Sequence, residues 1–257
     1  MENDTPSNNP NPNPGTSREL NLQQMVNQFM TSLQRHFDML AYTLASRENA
    51  SEEAYLKRVR DAAIMPVPQV HLNFEQIEAH ARDLLLRQVL NDAMNLSVTA
   101  LNNSHLFLAL LKEKKSNEEG QLGQEEQKRA QAAQQAFLKA KIEKKFELLE
   151  KDYGIMCELE DSIVAFSYCL QALLTQGGIP REAQLDASGS LKVELMSAAP
   201  TLEPVPNLQP NNLKPVVRSF EEGETIDFSD TDLQNVVLTI GVFAQQLFAS
   251  IARYANG

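Results

Sequence analysis

Residues 73–115 read NFEQIEAHARDLLLRQVLNDAMNLSVTALNNSHLFLALLKEKK, and their reading decides the fold. The stretch holds no proline and no glycine, so nothing in it obliges a helix to stop. Helical from Asn73 to about Lys114, it would run roughly 60 Å at 1.5 Å per residue. Its middle is apolar on most sides: Leu84, Leu85, Leu86, Val89, Leu90, Ala93, Met94, Leu96, Val98 and Leu101. A helix apolar nearly all round must be covered nearly all round, which predicts the central helix of a bundle. Asn73 suits the N-cap, Gln76 completes a capping box, and Leu72 with Ile77 can form a hydrophobic staple. One polar seam survives, Arg87, Asn91 and Asn95, spaced i, i+4, i+8 and so on one face. Such residues between helices can position a ligand anion. Satisfying one another, pairing with Asp92 or a facing Glu, or fixing helix register or a dimer contact is the favoured reading.

Outward from this rod the chain is mostly helical. Residues 1–17, MENDTPSNNPNPNPGTS, lack apolar periodicity and predict a disordered, solvated tail. From about Arg18 to Arg47, Leu22, Met25, Val26, Phe29, Leu33, Phe37, Leu40 and Leu44 make one apolar stripe, with His36 at its border. Ser51 can cap a short helix through about Ala63, and Met65-Pro66-Val67-Pro68 makes an extended link. Beyond Lys115 the stretch SNEEGQLGQ turns the chain. Glu125 to about Asp152 reads as one further helix, striped late by Leu138, Ile142, Phe146, Leu149 and Tyr153. Lys139, Lys141, Lys144 and Lys145 form its basic cluster, read as a solvated face rather than a phosphate contact.

Gly154 closes that helix, and Met156 to Gln176 forms the next. Leu191, Val193 and Leu195 then alternate with Lys192, Glu194 and Met196, a period-two strand signal. After a Pro/Asn-rich connector (199–212), Lys214–Phe220 and Glu224–Phe228 read as further strands of a small antiparallel sheet. Ser229, three before Asp232, caps a last helix striped by Leu233, Val236, Val237, Ile240, Ala244, Leu247, Ile251 and Tyr254. The expectation is a mainly α fold: residues 18–257 form one helical-bundle domain around the long helix. A small antiparallel β element, about 186–228, precedes the last helix.

At 257 residues the chain can bury a sizeable core. No run of apolar residues reaches the ~18 that a membrane span needs, and Met1-Glu2-Asn3-Asp4 has no basic or apolar signal region. No membrane partner is expected. Cys157 and Cys169 lie roughly 18 Å apart if they share a helix, beyond disulfide reach, which favours reduced thiols and a cytoplasmic location. The net charge of −11 disfavours duplex DNA as a partner.

Chemistry is poorly signalled. His36, His71, His80 and His105 never fall in H-x-x-x-H or E-x-x-H spacing, so no metal is expected. Neither a phosphate-cradling glycine loop nor a G-x-S-x-G elbow occurs, and no cofactor is expected.

The order of elements, from a long central helix and a basic amphipathic helix through LQALLTQGG to FEEGETIDFSDTDLQNVVLTIGVFAQQLFASIARY, resembles proteins with a HEPN-like bundle (higher eukaryotes and prokaryotes nucleotide-binding) over about residues 73–257. The resemblance implies a dimer. In active members it implies a metal-independent ribonuclease with an R-x(4–6)-H motif, the arginine steadying phosphate and the histidine moving a proton. The matching positions here hold Ser167, then Tyr168, and Ala172. No arginine is followed by histidine at that spacing anywhere in the chain. The resemblance therefore implies bundle and homodimer without that reaction. The leading expectation is a non-catalytic interaction protein with a second copy, another protein or RNA as partner. The alternatives are a divergent RNA-cleaving or nucleotide-binding enzyme using Arg87, Asn91, Asn95 and Tyr168, and an unrelated helical scaffold.

Overall fold

The computed structural model describes residues 21–61, 73–117, 122–198 and 213–257. The expected tail (1–17), the Met65–Pro68 link, Leu72 and the 199–212 connector lie outside these residues, as do Ala62 and Ala63 at the expected end of the short second helix.

The chain runs α1 (Leu22–Glu48), α2 (Glu52–Asp61), α3 (Phe74–Ser116), α4 (Gln124–Lys139), α5 (Ile142–Tyr153), α6 (Glu160–Thr175), a single 3-10 turn (Glu182–Gln184), β1 (Ser190–Ala198), β2 (Leu213–Glu221) and α7 (Asp230–Asn256). The architecture is mainly α, with one two-stranded antiparallel sheet inserted before the last helix.

The rod forms as its composition requires. Asn73 accepts from the Gln76 N–H while Gln76 returns a bond to the Asn73 N–H, and the helix then continues unbroken to Ser116. It packs against α1, α4, α5, α6 and α7, burying Leu86, Val89, Leu90, Ala93, Leu96, Leu101 and Leu108. Leu84 lies outside this coverage and is exposed. The last helix begins with a second reciprocal cap between Ser229 and Asp232. Burial works against the Asp232 charge, yet bonds from Ser229 and Arg218 hold its carboxyl below the usual carboxylate range. By length and composition α7 could cross a membrane, but 56 % of that apolar window is buried in the bundle. An apolar helix there is what a core position demands.

Three expectations change. The helix expected over Glu125–Asp152 is broken: Ala140 and Lys141 are extended (ψ 145° and 164°), separating α4 from α5. No glycine or proline marks the break, which a tertiary contact from Lys145 compensates. The segment Glu224–Phe228 is not a strand. Gly223 (φ +83°) turns it away from β2, the Ile226 N–H bonds to Gly178 O at 2.8 Å, and Phe228 stacks on Phe220. Its backbone is spent on the turn after α6 rather than on the ladder. Cys157 lies in the bend before α6, off the helix that carries Cys169. Both are free, and burial pushes both thiols up to about 12.

Leu191, Val193 and Leu195 of β1 face the core as their alternation predicts, and β1 packs on α6 and α7. One contiguous apolar core draws on α1, α3 through α7 and both strands.

Candidate functional site

The most concentrated polar chemistry in the interior sits where α4 breaks from α5, against the C-terminal half of α3. Lys145, only 3 % exposed, lies between Ile142 and Phe146 on the buried face of α5. Its ammonium donates to Phe137 O (2.5 Å), Leu138 O (3.4 Å) and Asn102 Oδ1 (2.9 Å), and stands 4.4 Å from the Phe137 ring centroid. Both carbonyls lie in the last turn of α4: Phe137 O also accepts from the Ala140 N–H at 3.1 Å, and Leu138 O is among those the helix end leaves without a helical partner. Lys145 therefore caps α4 from the helix that follows, with a cation at the negative end of the α4 dipole. This capping compensates the break at Ala140–Lys141. Burial pulls the Lys145 pKa down, and the three oxygen acceptors hold its charge in place.

His105 completes the joint. Its ring stacks on Phe137 with centroids 4.0 Å apart and meets Tyr153 edge-on. Gln134 donates from Nε2 to Asn102 O at 3.0 Å, so its Oε1 faces His105 Nδ1 at 2.6 Å. An amide oxygen only accepts, so Nδ1 carries the hydrogen. Burial lowers the His105 pKa from its ordinary 6.5, outweighing the hydrogen bond the ring donates to Gln134, and the imidazole is neutral at pH 7. The arrangement holds α3, α4 and α5 together, and neither of the two cavities described below is lined by it.

The seam expected between helices lies elsewhere. Arg87 is half-buried, and its guanidinium pairs with Asp83 one turn earlier on the same helix at 2.9 Å. Asn91 and Asn95 are exposed, so they do not satisfy one another in a core. Tyr168, on α6, donates its hydroxyl to Glu143 Oε1 of α5 at 3.0 Å. Burial, followed by Glu143, raises its pKa. None of the four lines either described cavity. Of the motif positions that the resemblance picks out, Ser167 is half-buried and Ala172 fully buried.

Sequence reading passed over Lys145 because it sat in a run of lysines. The available signal was phase: it lies three after Ile142 and four before Leu149, inside the apolar stripe.

Two cavities lie elsewhere among the described residues. A groove of about 490 Å³ lies between the end of α1, α2 and the start of α3. Tyr55 and Phe74 pair across it at 6.1 Å, Arg47 is bound to Asp230 (2.9 Å), and Arg58 and Glu78 balance in sign. A notch of about 20 Å³, the size of one water, lies among Leu33, Leu40, Val89 and Ile240, with the His36–Asp92 pair (3.0 Å) at its rim. Among the described residues no group of three or more His, Cys, Asp or Glu is placed to hold a metal ion.

Compared with protein-family models, curated proteins and solved structures, the chain matches none of them.

Proposed function

We propose that this protein works by association rather than catalysis, as a HEPN-like helical bundle that lacks the Arg–His pair and pairs with a second copy of itself. One observation carries the reading: the groups with the most chemical potential are spent on the fold. Lys145 caps a helix, His105 bonds Gln134, which in turn holds Asn102, Arg87 holds Asp83 and Tyr168 holds Glu143. Large apolar side chains, by contrast, remain on the outside, most densely on α1, where Met30, Phe37, Met39 and Tyr42 are exposed. Interfaces favour such aromatic and methionine side chains with little charge beside them.

The test has two arms. Light scattering over a concentration series is expected to give a dimer mass, and a monomer mass throughout rejects the reading. Incubation with mixed RNA, with and without chelator, is expected to leave the RNA intact. Robust cleavage abolished by Arg87→Ala would replace association with the enzymatic alternative.

A further inference from the structure

The β1–β2 hairpin has two edges, and they finish differently. In an antiparallel ladder, residue pairs alternate between those that exchange hydrogen bonds and those whose N–H and C=O groups point away from each other. Met196 stands opposite Pro215, and the Met196 N–H donates to Thr239 Oγ1 at 2.8 Å, away from β2. That contact sets the phase of the whole ladder. Lys214, Val216, Arg218 and Phe220 exchange bonds with β1, while Leu213, Pro215, Val217, Ser219 and Glu221 aim their main-chain groups outward. Two further contacts agree. The Glu221 N–H donates to Glu224 Oε2 (2.9 Å), and the N–H of Ser190, its opposite number, donates to Asp186 Oδ1 (3.2 Å). Pro215, with no N–H to give, sits where the hairpin needs none.

The outer edge of β1 is therefore occupied at both ends, by Asp186 and by Thr239. Among the described residues, the outer edge of β2 is occupied only at its Glu221 end, by Glu224. Among the described residues, the outward N–H and C=O groups of Val217 and Ser219 and the C=O of Pro215 have no partner. Val217 is 54 % exposed. Val216 is 36 % exposed although Leu195, directly opposite it, is fully buried, so β2 overhangs the bundle. An exposed, apolar strand edge is a template for another strand.

We propose that a second copy of this chain occupies that edge, its β2 adding antiparallel across a twofold axis at Val217 so that one sheet runs through both protomers. The proposal rests on the self-association reading above and names its contact surface. Charge selects both the occupant and the register. At −11, two copies repel over most of their surface, yet Leu213–Phe220 carries no acidic residue, and its Arg218 is only partly offset by Asp232 at 2.8 Å, its side chain staying 46 % exposed. Centred on Val217, the pairing sets Val217 against itself, Pro215 against Ser219, Val216 against Arg218 and Lys214 against Phe220. Centred one residue earlier it opposes Lys214 to Arg218, and one residue later it opposes Arg218 to itself; both place like charges face to face. Only the Val217 centre of these three avoids that. There each Val217 N–H meets the other's C=O, and each Ser219 N–H meets the C=O of Pro215.

Light scattering of the full chain over a concentration series, for wild type, Val217→Pro and Val217→Lys, tests it. The first variant deletes an N–H that β1 does not use; the second sets like charges on the axis. Both should weaken dimerisation about tenfold or more while circular dichroism stays unchanged. Amide exchange on the wild type stands even if a variant misfolds: the Val217 and Ser219 amides should slow as concentration rises through the dimer range. A wild-type dimer whose mass survives both folded variants overturns the β2 assignment and leaves association standing. So does slow exchange of those amides at every concentration, which would place another part of the same chain on the edge. A wild type that stays monomeric overturns both.

Discussion

The two ends of α3 put similar polar residues to opposite uses. Toward its N-terminal half, Asp83, Arg87, Asn91 and Asn95 run from half-buried to exposed along one face, and among the described residues Arg87 pairs with Asp83 of its own helix. Toward its C-terminal half, Asn102 and His105 lie beneath α4 and α5, where each is bound by a named partner. Propensity does not distinguish the two ends. What distinguishes them is whether a second helix arrives, and α4 with α5 arrives only at one end. A buried donor or acceptor left unpaired costs far more than an exposed one, which water serves. The covered end is therefore expected to carry the energetic weight.

The largest effect should come from Lys145→Ala. It removes the cap from α4 and takes the ammonium from Asn102 Oδ1 and Leu138 O, while Phe137 O keeps the Ala140 N–H, at a cost of about 3 kcal/mol. A shift of the denaturation midpoint at constant m-value reads it, and a loss below about 0.5 kcal/mol would mean that water replaces the ammonium and that the contrast between the ends is illusory.

His105 gives the covered end a pH signature. Its folded pKa lies below the ordinary 6.5, chiefly through burial. The unfolded chain therefore takes up this proton at a higher pH than the folded one. The stability at stake is fully present above pH 6.5 and drains as the pH falls below it toward the folded value. Melting curves from pH 8 downward should show that drain, and His105→Phe, which keeps a ring against Phe137, should flatten it even though its melting temperature is lower throughout. Parallel curves for the two proteins would remove His105 as the source.

The smallest effects belong to the open end. Arg87→Ala, Asn91→Ala and Asn95→Ala should each change stability by no more than about 0.5 kcal/mol, since exposed i, i+4 pairs contribute little. A loss above about 1.5 kcal/mol in any of them would mean that this face is covered in solution, which would sharpen the comparison by adding a cover to the second end.

What the sequence made legible follows the same division. Features whose cause is local could be read directly: the caps at Asn73 and Ser229, the period-two run from Leu191 to Leu195 and the αL Gly154 that ends α5. Features whose cause is a distant partner could not. The break at Ala140–Lys141 has no breaker residue, and the contact that compensates it comes from Lys145 on the next helix. Glu224–Phe228 has a strand's composition, but its backbone is claimed by Gly178. The seam was legible as a face and illegible as a location, because spacing tells which residues share a side and says nothing of what lies against it.

Thr239 shows how much one hydroxyl can limit. It accepts from the Met196 N–H while donating to Asn235 O inside its own helix, and so plugs the far side of the hairpin with a group that cannot be extended. A strand that approached the opposite flank would meet Asp186 and Thr239 at its two ends, with only the outward groups of Lys192 and Glu194 between them. Growth of such a ribbon would halt at a closed pair, which keeps an adhesive strand from seeding fibrils.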